Sequence, residues 1–149
     1  MNNYITLETA LLVKNAGFHY EYVKSNPYLI KSYDTITGNL ICSIDGNVVS
    51  GYTLAPTQHE LQTWLREEKG IHVFVDSTFI CNIPKHHNFG KPNWFGEIDI
   101  IGKESIRVIN TKTPIVKGNV SYAFFSYNEC LEAGLQQACK YLIDENKSK

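Results

Sequence analysis

Between Ala55 and Val75 the apolar and polar positions follow two different rhythms. Leu61, Trp64 and Leu65 fall three and four apart, the spacing of one helix face, while Gln62, Thr63, Arg66 and Glu67 occupy the side expected to meet water. Thr57 and Glu60 stand at the spacing of a capping box, Pro56 discourages an earlier start, and Gly70 supplies a left-handed stop. From Ile71 the period becomes two: Ile71, Val73 and Val75 alternate with His72 and Phe74, which predicts a strand.

The same rules predict elements on either side. Thr6 to Ala16 is expected to be a helix capped by Thr6 and closed by Gly17, with Leu7, Ala10 and Leu11 as its apolar stripe and Leu12 and Val13 widening it. Tyr28–Tyr33, Asn39–Ile44 and Asn47–Tyr52 are three expected strands, turned at Thr37-Gly38 and at Asp45-Gly46, the latter a two-residue hairpin signal. Being short, they are expected to be contiguous with the main sheet. After Val75, Asp76-Ser77 is expected to turn the chain into a strand over Thr78–Ile83, with Phe79, Cys81 and Ile83 on one face and Pro84 at its end. Glu97–Ile101 and Ser105–Asn110 are expected to pair around Gly102-Lys103, and Val120–Phe125 to form a further strand. Ser126 and Glu129 open a last helix with a second capping box. Leu131, Leu135, Ala138 and Leu142 form its stripe, and Gly134 permits close approach to a sheet. Hairpin connections require antiparallel pairing. The expected fold is therefore α+β: an antiparallel sheet of hairpins with three helices mainly on one face, a single domain over residues 1–149.

Composition narrows the class of function. Hydrophobic residues make up 43% and charged residues 19% of the 149, an ordinary globular balance. Net charge is −1, so no overall field steers the chain toward nucleic acid or an anionic membrane. Cys42, Cys81, Cys130 and Cys139 are scattered without a Cys-x-x-Cys pair, and Leu11-Leu12-Val13 is too short for a signal core or a span. Free thiols and a cytoplasmic location follow as expectations.

Three blocks carry a resemblance. They are Thr6-Leu7-Glu8-Thr9-Ala10 ending at Gly17-Phe18, Ala55-Pro56-Thr57-Gln58 leading into Trp64-Leu65-Arg66-Glu67, and Tyr127-Asn128-Glu129-Cys130-Leu131-Glu132-Ala133-Gly134-Leu135. Together they cover about a third of the chain. They resemble a widespread family of small phage and prophage proteins, commonest in viruses of gut Bacteroidetes, that has no established activity to transfer. The resemblance implies an accessory protein made in the cytoplasm of an infected bacterium. It departs from the family's usual form in the Phe18–Gly51 and Lys85–Val120 segments, where function is expected to sit.

The candidate chemistry lies in Lys85–Gly96, read as an irregular loop. It brings Lys85, His86, His87 and Lys91 beside Phe89, Trp94 and Phe95, a mixture suited to stacking a base and holding a phosphate. Lys103, Arg107 and Lys112 are expected to extend a positive lining. The alternative is a loop packed over the sheet edge with its lysines in solvent. His86 and His87, adjacent on an extended chain, point apart and rarely share an ion, so no metal site and no cofactor is expected. Trp64 reads as core, His59 as a water-facing helix residue, His72 as an outer-face residue, and Cys130 and Cys139 as small core fillers. Asp76, Glu97 and Asp99 are carboxylates near strand ends that could serve acid–base chemistry only if folding pairs them with a base.

The leading expectation is a non-catalytic protein that sequesters a small anionic host ligand, such as an antiviral nucleotide second messenger, or blocks a host defence protein. The alternatives are a nucleotide- or nucleic-acid-processing enzyme using His86 or His87 with Asp99 or Glu97, and an oligomeric or virion-associated structural protein whose β edge pairs with a second copy.

Overall fold

A computed structural model describes residues 3–19, 31–42, 51–79, 92–112 and 122–149. In chain order the elements are α1 (Leu7–Asn15), β1 (Lys31–Asp34), β2 (Leu40–Cys42), β3 (Tyr52–Ala55), α2 (Gln58–Lys69), β4 (Ile71–Phe79), β5 (Pro92–Ile100), β6 (Ile106–Arg107) and α3 (Tyr127–Lys147). The fold is α+β and its ladders are antiparallel.

The helices form where local chemistry marks them. Thr57 accepts the Glu60 amide while Glu60 reaches back to the Thr57 amide at 2.8 Å, a complete capping box, and Gly70 ends α2 at φ 65°. Leu61, Trp64 and Leu65 are buried, and Phe18 meets the Trp64 ring edge-on at 5.2 Å. Gln62, expected in water, instead donates through Nε2 to the Val73 carbonyl at 2.8 Å and fastens α2 to β4. In α1, Thr6 caps as expected, but the inward face is Thr9, Ala10 and Val13, and Leu11 is exposed. The rotation follows from a polar anchor: the Thr9 hydroxyl donates to Glu132 Oε1 of α3 at 2.5 Å. Ser126 accepts the Glu129 amide at the start of α3, the Ser126 half of the expected second box.

The strands depart further from expectation. Among the described residues the strands pair as two three-stranded sheets, β2-β1-β3 and β4-β5-β6, where one contiguous sheet was expected. The third strand of the first sheet is Tyr52–Ala55, with Leu54 and Ala55 entering the core; of the expected Asn47–Tyr52 strand, residues 47–50 lie outside the described residues. The Thr37-Gly38 turn is present, with Gly38 at φ 75° and the Ile36 and Thr37 amides held by Asp34 Oδ1. The Asp45-Gly46 hairpin and the Cys81 and Ile83 positions lie outside the described residues.

Asp76-Ser77 is no turn. β4 runs straight through it, paired residue for residue with β5 from Ile71↔Ile100 to Phe79↔Pro92. The same ladder makes residues 92–96 a strand and not the end of a loop. Pro92 is tolerated as the first strand residue, where its missing N–H matters least. Gly96 is needed because a Cβ there would stand 2.7 Å from Val108 Cγ2. β6 is only Ile106–Arg107, shorter than the expected Ser105–Asn110, though the hairpin around Gly102 is as expected. Of the expected Val120–Phe125 strand, the described part contributes a single bridge, Phe124 to Trp94.

α3 packs on β4 and β5 and also on α1 and α2, burying Cys130, Leu131, Gly134, Leu135, Ala138 and Cys139. Gly134 sets the spacing: a Cβ there would come within 2.7 Å of Val73 Cγ1. Full burial of a side chain such as Leu135 contributes about 1.5–3 kcal/mol. Cys130 and Cys139 are free, buried thiols, and burial pushes both up to about 12. Among the described residues no helix is long and apolar enough to cross a membrane.

Candidate ligand-binding groove

With Val73 and Ile98 directed into the core, strand alternation turns the other set of β4 and β5 side chains outward. Register then decides which of them meet. His72 faces Asp99, Phe74 faces Glu97, and Asp76 faces Phe95; on the next ladder Glu97 faces Arg107. Phe74, Phe95 and Tyr122 remain 43%, 37% and 37% exposed, and with the ionic residues they line an open groove of about 700 Å³.

Local bonds hold the lining. The Ser105 hydroxyl donates to Asp99 Oδ1, and Asp76 Oδ1 accepts the Ser77 amide at 2.8 Å. The Arg107 guanidinium lies 5.7 Å from the centre of the Tyr122 ring, a cation–π arrangement. His72 packs on Phe74 with ring centres 3.9 Å apart. Among the described lining residues three carboxylates, Asp76, Glu97 and Asp99, stand with one guanidinium, Arg107, so this part of the groove is net negative, while Lys85, His86, His87 and Lys91 of the expected positive lining lie outside the described residues. It can stack flat groups and accept hydrogen bonds from cations. Among the described residues no three His, Cys, Asp or Glu side chains are placed to hold a metal ion.

The residues singled out in the sequence separate. Phe95 and Arg107 come together in the groove. Trp94 does not: its ring packs edge-on against Tyr127 at 5.5 Å and its backbone bridges Phe124, so it serves the scaffold. Lys103 is drawn away to α3, where Nζ donates to the Tyr141 hydroxyl at 2.5 Å and to Glu145 at 3.4 Å. The Tyr141 bond, ahead of the Glu145 charge, raises the Lys103 pKa. Lys112 lines a different cleft, beside Asn128. Lys85, His86, His87, Phe89 and Lys91 lie outside the described residues. Phe74 and Tyr122 were missed as site residues. Phe74 was legible as an outward strand position, but only the register reveals its neighbours.

No protein-family model, curated protein or solved structure matches this chain.

Proposed function

We propose that this chain is a non-catalytic binding protein that grips a basic segment of a host protein on the outer face of the β4-β5-β6 sheet. The observation that carries this is the gathering of three carboxylates and three aromatic rings around one groove. Lysine or arginine side chains would set their charged ends on Asp76, Glu97 and Asp99 and their stems or cations against Phe74, Phe95 and Tyr122. The family resemblance supplies the setting, an infected bacterial cytoplasm in which blocking a host protein requires affinity without turnover.

A mononucleotide is the second reading, favoured by one observation: Arg107 beside Tyr122 could take a single phosphate while Phe74 or Phe95 stacks the base. A ligand with several phosphates would meet three negative charges against one positive among the described lining residues.

Calorimetry with a pentapeptide alternating Lys and Trp, its Glu-Trp counterpart, and a panel of linear and cyclic nucleotides tests the proposal. The Lys-Trp peptide is expected to bind, weakening as salt rises. The combined change Asp76→Asn, Glu97→Gln and Asp99→Asn should weaken it at least tenfold. Binding of a nucleotide but not of the basic peptide would overturn the proposal in favour of the second reading.

A further inference from the structure

A second cleft, of about 420 Å³, opens where α3 meets the chain leading into α1 and α2 and the 110–112 turn. That volume falls within the range of about 300–1,000 Å³ typical of small-molecule sites. Its apolar wall includes Tyr4, Phe124 and Ala133, and its polar wall includes Gln58, Glu132 and Gln136.

The hydrogen bonds around Glu132 run in one direction. Oε1 accepts the Thr6 amide at 2.7 Å and the Thr9 hydroxyl at 2.5 Å, and Oε2 accepts Gln58 Nε2 at 2.9 Å. Gln136 Nε2 donates to Thr9 Oγ1 at 2.8 Å, and the Thr9 proton goes to the carboxylate, which can only accept. A carboxylate has roughly four lone-pair positions. Three are filled here, all by neutral groups, and among the described residues no Lys, Arg or His side chain forms an ion pair with Glu132. Among the described residues the acceptor positions left open in the polar wall are one on Glu132 Oε2 and the side-chain carbonyls of Gln58 and Gln136. The ionic residues lining the cleft are Glu129, Glu132 and Lys112, two negative charges against one positive. A half-buried carboxylate surrounded by neutral donors lacks a counter-charge, and buried charges are normally paired.

We propose that this cleft binds a small primary ammonium compound. Its three N–H donors would complete Glu132 and Gln136, and its methylene chain would lie against Tyr4 and Phe124. The site is separate from the sheet-face groove and does not depend on what that groove binds.

Calorimetry with 1,4-diaminobutane, against its neutral isostere 1,4-butanediol, tests this on the full chain. The diamine is expected to bind and the diol to show at least tenfold weaker binding. Ala133→Leu, which adds bulk at the apolar wall of the cleft and removes no hydrogen-bonding group, should abolish diamine binding while the protein stays folded by circular dichroism. The triple carboxylate variant of the sheet face should keep it. Equal binding of diamine and diol, no binding of either, or unchanged diamine affinity in Ala133→Leu would overturn the proposal. Loss of diamine binding in the sheet-face variant would do so as well, placing the amine in the groove.

Discussion

Thr53 is 1% exposed in β3, and its hydroxyl has no hydrogen-bond partner among the described residues. Leaving such a group unsatisfied costs about 1–3 kcal/mol, whereas an apolar group of the same shape carries no such cost. Thr53→Val is therefore expected to raise the melting temperature by roughly 2 °C or more, read by calorimetry; a lower value would mean that the hydroxyl is satisfied in solution. Gly134 sits under the opposite constraint. Its missing Cβ admits Val73, so Gly134→Leu should destabilise by about 1–3 kcal/mol in urea unfolding, despite the better helix propensity of Leu. Cys130 and Cys139, buried and held as thiols with values pushed up to about 12, should resist a thiol reagent at pH 8 in a Cys42→Ser, Cys81→Ser background. Both should react once urea unfolds the chain, and rapid native labelling of either would contradict their burial.

Helices and strands were unequally legible, for a physical reason. A helix writes its ends locally: Thr57 with Glu60, Gly70, and the Leu61, Trp64, Leu65 stripe all lie within fifteen residues and describe α2 as it stands. A strand is settled by a partner far along the chain. Asp76-Ser77 looks like a turn until Phe95 and Trp94 pair with it, and Pro92 and Gly96 look like loop punctuation until β4 supplies the ladder. The separation into two sheets is likewise a property of pairing that no single run displays. Turns with side-chain support remain readable, and the one at Asp34 is sensitive to pH. The backbone amides of Ile36, then Thr37, hold the Asp34 carboxyl below its ordinary value of 3.8. A depressed carboxyl stabilises the fold above its unfolded value, and that contribution is lost as pH falls through the folded value. Wild type should thus melt above Asp34→Asn at pH 6, with the gap closing as pH drops below 3.8; a gap that widens in acid would refute this linkage.

On the scale of the whole molecule, the framework follows from the capped helices and buried stripes, while the binding face follows from the register of β4 on β5. Phe95 and Arg107 could be selected from the sequence as recognition residues, but not their company. Only the ladder sets Asp76 opposite Phe95 and Glu97 opposite both Phe74 and Arg107. That company makes the described lining acidic, which is why the proposed ligand is a cation. Lys103, one of the lysines expected in a positive lining, is engaged by Tyr141 and Glu145 on α3. The most direct measurement is a titration of the ¹⁵N-labelled protein with the Lys-Trp pentapeptide, following every backbone amide by NMR. The largest shifts are expected along the ladder joining Phe74–Ser77 to Phe95–Asp99 and at Arg107, with α3 little changed. Shifts confined to α1 and α3, or none at saturating peptide, would contradict the placement of recognition on the outer face of this sheet.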